Sequence, residues 1–415
     1  MYEKIVLPNG VRILHEYIPY VRSVSLGIWV GTGSRYENAA MSGASHFIEH
    51  MLFKGTETRS AAELACIMDG IGGQCNAFTT KECTCFHGRV LDTHLDQLSD
   101  ILCDMFFNSR FDEDDVKNER GVILEEIDMY ADTPEDLAVE RLSSAVFKGY
   151  SLGRSILGKK ATLDKMTGTS LRQYMSAHYN PESVVIAVSG SYKPDDITRL
   201  KDRFEVMTKG NSHKPVKAAY TPSFTVRRKS LEQNHLNIAF PGIRVTDQSR
   251  FALQLLSEIL GGGMSSRLFQ TVREKRGLCY SIYTYGSSYI DTGLFSVYTA
   301  LGKATEREAI GVIVDEIKRF KEDGVAADEL LRTREQLKAN VLMGLESTGT
   351  RMNRLGRNEL YFGYVPEPDE IIASYDSVTA EDIHKLSAYC LDFDKVSFSA
   401  VGKVDSAEDY RELLS

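Results

Sequence analysis

Two stretches of this chain are built alike. "VVIAVSGSYKPDDITRL" (184–200) and "VSFSAVGKVDSAEDYREL" (396–413) each run from a short apolar strand through a glycine into a short acidic helix. Upstream, "VSLGIWVGTGSR" (24–35) and "LNIAFPGIR" (236–244) each offer a strand that leads to a helix. A period near half the chain is too long for a solenoid repeat. It points instead to a duplication, with two related halves in a chain of 415 residues.

Between them lies "TKGNSHKPVKAAYTP" (Thr208–Pro222), with no apolar periodicity, two prolines and several lysines. It reads as a linker. The expected division is a first half at 1–208, a linker at 209–222 and a second half at 223–415. Strand signals include "RSVSLGIWV", where Val24, Leu26, Ile28 and Val30 alternate onto one face. "TCFHGRV", "SVVIAVSG", "LNIAFPG" and "KVSFSAVG" follow, with a hairpin turning near Asp291–Gly293. Helical periodicity covers 61–70, 94–107, 112–130, 134–147, 249–260, 305–322 and 328–345. Hairpins among interspersed helices predict an α+β fold with mixed or antiparallel sheets.

A net charge of -9 argues against a nucleic-acid-binding surface, which needs a basic face. The seven cysteines are scattered and odd in number, so they form no disulfide framework and suggest a reducing compartment. "CTC" at Cys83–Cys85 puts two thiols on one side of a strand, which is weak as a metal motif without a second pair. The N-terminus reads as strand, Pro-Asn-Gly turn and strand, without the pattern of a signal or transit peptide. No apolar run is long enough to span a membrane. A soluble, cytoplasmic protein is expected.

The chemistry concentrates in "GASHFIEHMLFKGT" (43–56). On a helix capped by Ser42 or Ser45, His46 and His50 at i and i+4 project from one face. That spacing suits two neutral nitrogens on one zinc ion. Glu49 lies beside them, where a carboxylate serves as general base in metal-assisted hydrolysis. The five residues are the inverted form, HxxEH, of the HExxH pattern. Alone they leave two readings open: a metal helix, or two half-buried histidines with a solvated glutamate. A catalytic zinc site needs a third ligand on a second rigid element. The helix "DDVKNERGVILEEIDMY" carries Glu119, Val122, Ile123 and Glu126 on one face, with Glu125 pointing elsewhere. Two acids on an otherwise apolar face need compensation, because burying an unpaired carboxylate is costly.

"HFIEHMLFKGT" followed by "ERGVILEEI" resembles the pitrilysin/insulinase family of inverted zinc peptidases, which includes mitochondrial processing peptidases and shorter bacterial relatives of this length. The family's third ligand is a glutamate 76 positions after the second histidine, and its supporting glutamate stands seven residues earlier; these match Glu126 and Glu119. The resemblance thus implies His46, His50 and Glu126 as ligands of one Zn2+ per chain, Glu49 as catalytic base and Glu119 as support. "GGQCNAFTTKECTCF" resembles the family's substrate-binding edge strand, with Asn76, Ala77 and Phe78 at positions whose main chain pairs with an extended peptide. "SSRLFQTVREKRGLCYSIYTY" resembles its Arg/Tyr element, which implies that Arg273 and Tyr280 hold and polarise a substrate carbonyl. "LGGGMSSRLF" lacks the lysine of a phosphate loop and follows a helix.

The family fold is two related α+β halves per chain, and two such chains close around a chamber. One chain of this length supplies one shell. Because it carries both the zinc and the Arg/Tyr elements, the resemblance implies a self-sufficient homodimer with each site shared between subunits. The expected activity is a zinc endopeptidase on peptides or unfolded segments. The rival readings are a non-catalytic subunit, or the partner of a separate chain in a processing-peptidase-like complex.

Overall fold

Alternation along the strands resolves into two sheets of the same design. In a computed structural model, residues 2–210 and 214–414 are described; 211–213, within the expected linker, lie outside the described residues. The strands are β1 (Glu3–Val6), β2 (Arg12–Tyr17), β3 (Ser23–Val30), β4 (Gln74–Thr79), β5 (Thr84–Leu91), β6 (Val184–Gly190), β7 (Phe224–Arg228), β8 (Asn234–Pro241), β9 (Cys279–Ser288), β10 (Gly293–Leu301) and β11 (Ser397–Gly402). The first sheet runs β1-β2-β6-β3-β5-β4 and the second β7-β11-β8-β10-β9. Each has one parallel pair, β2 with β6 and β7 with β11, and is otherwise antiparallel. Apart from the extra edge strand β1, the two orders superpose, which is the duplication read from sequence in structural form. The class is α+β, as expected.

The helices, in chain order, are α1 (Ala44–Leu52), α2 (Ala61–Gly70), α3 (Leu95–Asn108), α4 (Glu113–Asp132), α5 (Pro134–Val146), α6 (Lys160–Leu163), α7 (Gly168–His178) and α8 (Pro194–Glu205). Then come α9 (Arg250–Gly261), α10 (Glu306–Asp323), α11 (Ala327–Gly344), α12 (Thr348–Phe362), α13 (Pro368–Ser377), α14 (Ala380–Cys390) and α15 (Ala407–Leu414). The chain packs into two compact units. Unit 1 comprises Met1–Ile127, Arg154–Val216 and Met343–Glu367; unit 2 comprises Asp128–Gly153, Lys217–Leu342 and Pro368–Ser415. The expected division at 209–222 follows chain order, whereas the units exchange segments: α12 joins the first sheet and α5 the second.

In unit 1, Val24, Leu26, Ile28 and Val30 of β3 face a core shared with Phe47, Ile48 and Leu102. Ile28 stands between Phe86 of β5 and Ile186 of β6. The opposite face is buried too, because Met352 and Leu355 of α12 pack on Leu14, Trp29, Val185 and Ala187. Two glycines permit the close approach. A Cβ on Gly27 would meet Met352 Sδ at 2.4 Å, and one on Gly356 would meet Trp29 Nε1 at 2.3 Å. Polar anchors flank this seam: Ser25 to Thr348 at 3.0 Å, Arg351 to Glu16 at 2.8 Å, and Lys4 to Glu359 at 2.7 Å. In unit 2, the second sheet shares its inner core with α9, α10 and α14. Its outer face is covered by Leu142 and Val146 of α5 against Ala239 and Leu294.

All seven cysteines are free. Cys83 and Cys85 are buried in the apolar cluster around Trp29 and Met352, and burial pushes both thiols up. Among the described residues no helix is long and apolar enough to cross a membrane.

Candidate metal centre

Helix α1 is preceded by Gly43, whose φ of 100° lies in the left-handed region and whose missing Cβ makes room for Leu157 O. Neither Ser42 nor Ser45 caps it, contrary to expectation. The carboxylate of Glu37 does so from outside the helix, accepting the N–H of Gly43 at 2.7 Å and of Ser45 at 2.8 Å. A buried acid there satisfies two of the orphan amides of the first turn and complements the helix dipole. Burial nonetheless outweighs these donors and pushes the Glu37 carboxyl up to about 7. No local motif marks Glu37 in the sequence; its only signal is an acid shortly before the glycine that opens the helix.

One turn apart on α1, the rings of His46 and His50 lie 4.6 Å from each other. Their Nε2 atoms reach Glu126 Oε2 of α4 at 3.5 and 3.6 Å. One ligand atom from each of the three falls within 4.8 Å of the others, and this is the only such His/Cys/Asp/Glu group of its kind among the described residues. Glu119 Oε1 accepts from His50 Nδ1 at 2.9 Å, and its Oε2 takes the Lys54 ammonium at 2.7 Å. With the His50 proton assigned to Nδ1 by that bond, the Nε2 lone pair faces Glu126. Burial, then the neighbouring His50, pushes His46 down to about 3, so it is neutral and ligand-competent at physiological pH. The buried His46 Nδ1 has no hydrogen-bond partner among the described residues. Two imidazoles and a carboxylate turned toward one point form a donor set that a shared cation would satisfy. The N, N, O donors are those of a catalytic zinc site with three protein ligands.

Glu49 stands next to this group. Its Oε2 accepts the hydroxyl of Thr79 at 2.5 Å. Burial raises its pKa, opposed by the Thr79 bond and by His50 and reinforced by Glu126. On α4, Glu119 and Ile123 are buried and Glu125 is exposed, as expected, but Val122 is half exposed at 50%. The expected apolar face is therefore narrower, because Val122 lies on its open flank. The cost of burying Glu119 is met by Lys54 and His50.

Asn76, Ala77 and Phe78 lie on β4, the edge strand of the first sheet. Ala77 packs toward the inner core, and Phe78 turns the other way onto Trp29 at 5.5 Å. Asn76 Oδ1 accepts the N–H of Ala77 at 2.8 Å. Arg273 and Tyr280 belong to unit 2. There the Arg273 guanidinium lies 4.7 Å from the centre of the Tyr280 ring, and Tyr280 is 75% exposed.

The chain matches the family Insulinase (Peptidase family M16) over residues 12–160 and the Peptidase M16 inactive domain over 165–337. A Bacillus subtilis protein named uncharacterized zinc protease YmxG is 43% identical over 388 residues, covering 93% of this chain and 95% of that one. An uncharacterized zinc protease of Streptomyces coelicolor is 40% identical, covering 92% of this chain and 86% of its own. Among solved structures, a protease from Helicobacter pylori superposes with a TM-score of 0.88 at 19% identity, covering 97% of this chain and 99% of that one. A Pseudomonas fluorescens structure described as a peptidase M16 inactive domain gives 0.90, also at 19% identity, over 98% of both. On the strength of these matches along nearly its whole length, the chain belongs to peptidase family M16, the insulinase family.

Proposed function

We propose that the protein is a zinc-dependent endopeptidase that hydrolyses peptides or unfolded segments. His46, His50 and Glu126 would hold one zinc ion per chain. When bound, the ion supplies Lewis-acid chemistry, acidifying water and polarising a carbonyl. Glu49 acts as the general base: its carboxylate takes a proton from the attacking water and passes it to the leaving amine. Glu119, held by Lys54, keeps the His50 proton on Nδ1 and so keeps Nε2 available. The edge strand β4, through Asn76, Ala77 and Phe78, would take an extended substrate as an added strand. Arg273 and Tyr280 would donate to the developing oxyanion. In a homodimer that encloses a chamber, the pair would come from the second subunit.

The observation that carries this reading is the approach of two histidine Nε2 atoms to one Glu126 oxygen, at 3.5 and 3.6 Å, with Glu49 alongside. The names of the M16 relatives support zinc and peptide-bond hydrolysis. The test is Glu49→Gln. The variant should bind zinc as the parent does and lose peptide cleavage by at least about 100-fold, the scale of general-base catalysis. Retained turnover would refute the assigned base.

A further inference from the structure

Glu49 needs more than the right neighbourhood. A glutamate on a helix has several rotatable bonds, and holding it in one orientation costs side-chain entropy. The structure shows what holds it. Thr79 is the last residue of β4, and its Oγ1 meets Glu49 Oε2 at 2.5 Å. The threonine hydroxyl is the donor and the carboxyl oxygen the acceptor, at the short end of the O–H···O range. Thr84 stands opposite Thr79 in the β4–β5 register, with its hydroxyl 3.4 Å away. The fully buried Thr84 gives its own proton to the backbone carbonyl of Thr32 at 2.9 Å. Thr84 therefore has no proton left for Thr79, and the single Thr79 proton goes to Glu49. Both threonines are β-branched and lie on strands, so their hydroxyl directions are stiff.

We infer that Thr79 is a positioning residue: its hydroxyl clamps one oxygen of Glu49 and fixes the plane of that carboxylate for proton transfer. Thr79 directly follows Asn76–Phe78 on the same strand. One rigid element would then both carry the peptide backbone and aim the base. This rests on the peptidase reading given above.

The test compares Thr79→Val, which keeps the shape and removes the donor, with Thr79→Ser, which keeps the donor. A misplaced base costs on the order of 10–100-fold, so Thr79→Val should lower kcat by about that factor while KM and zinc content stay within about twofold. Thr79→Ser should recover kcat to within about threefold of the parent. Crystal structures of the metal-free proteins should show the Glu49 carboxylate displaced in Thr79→Val and in place in Thr79→Ser. Should Thr79→Val fail to fold, Thr79→Ala repeats the measurement. The inference is overturned if the donor-less variant keeps more than half of kcat, if serine does no better than valine, if the loss falls on KM or zinc content, or if Glu49 does not move. If the parent cleaves no peptide, the peptidase reading fails, and the position of Glu49 alone still decides the role of Thr79.

Discussion

The two units share a strand order and differ in what they ask of the helix that follows the central strand. In unit 1 this is α1, which carries His46, Glu49 and His50. In unit 2 it is α9, "RFALQLLSEILG", whose leucines and isoleucine fill the core and which has no histidine. Glu258, the acid of α9, accepts from the Gln336 amide of α11 at 2.8 Å, so a carboxyl held by an amide stands where unit 1 gathers acids and histidines. The same strand order occurs with and without the polar group, which makes fold and chemistry separable. The difference also shows how unit 1 accommodates its acids. Glu119 is matched to Lys54 and His50, and Glu37 is buried against backbone amides.

The helix starts provide the sharpest test of that contrast. α1 is capped by a buried carboxylate, whereas Ser249, ahead of α9, makes no side-chain cap bond. The folded Glu37 carboxyl at about 7 lies above its ordinary 4.5, so the folded state binds the extra proton between those values. The stability it contributes is fully present below 4.5 and is lost as pH rises through 7, on the order of 3 kcal/mol in total. Urea titrations from pH 4.5 to 8 should show this decline in the parent and a flatter profile in Glu37→Gln. Equal slopes in both would remove Glu37 as the source.

A second comparison concerns support for the ligands. Glu119→Gln should weaken zinc binding by about 10–100-fold, the usual scale for a partner that orients a ligating histidine. Glu258→Gln in α9 should leave zinc affinity unchanged. Competition with a chelator measures both, and equal effects would erase the asymmetry. The smallest effects are at two glycines. Gly356→Ala, forced against Trp29 in unit 1, should cost about 1–2 kcal/mol. Gly311 of α10 in unit 2 has nothing within 4 Å of a new Cβ, so Gly311→Ala should stabilise by about 0.5–1 kcal/mol. Denaturant midpoints give the signs, and a neutral Gly356→Ala would show that α12 is less tightly seated than its contacts suggest.

Much of this was legible in the sequence, for identifiable reasons. The strands and long helices announce themselves by period, and α9 and α11 begin and end within a residue or so of where periodicity puts them. His46 and His50 are one turn apart by the geometry of any helix, and a long helix with acids on a buried face offered Glu126. The rest depends on contacts that periodicity does not encode. Periodicity says that β3 buries a face, but not that α12, hundreds of residues later, covers the other one. Local sequence offers nearby serines as caps of α1, yet Glu37 reaches it through a loop. Thr79 and Glu49 are thirty residues apart and meet only because β4 lies beside α1. Spacing puts Val122 on the buried face, whereas the open flank of α4 leaves it exposed.

Unit 1 brings one ligand atom each of His46, His50 and Glu126 within 4.8 Å of one another, the arrangement proposed to bind a metal ion. Elemental analysis of the purified protein, after dialysis against limiting zinc, tests it most directly. About one zinc per chain is expected, falling to near zero in His50→Ala and in Glu126→Ala. A parent that binds no zinc, or variants that retain it in full, would contradict it.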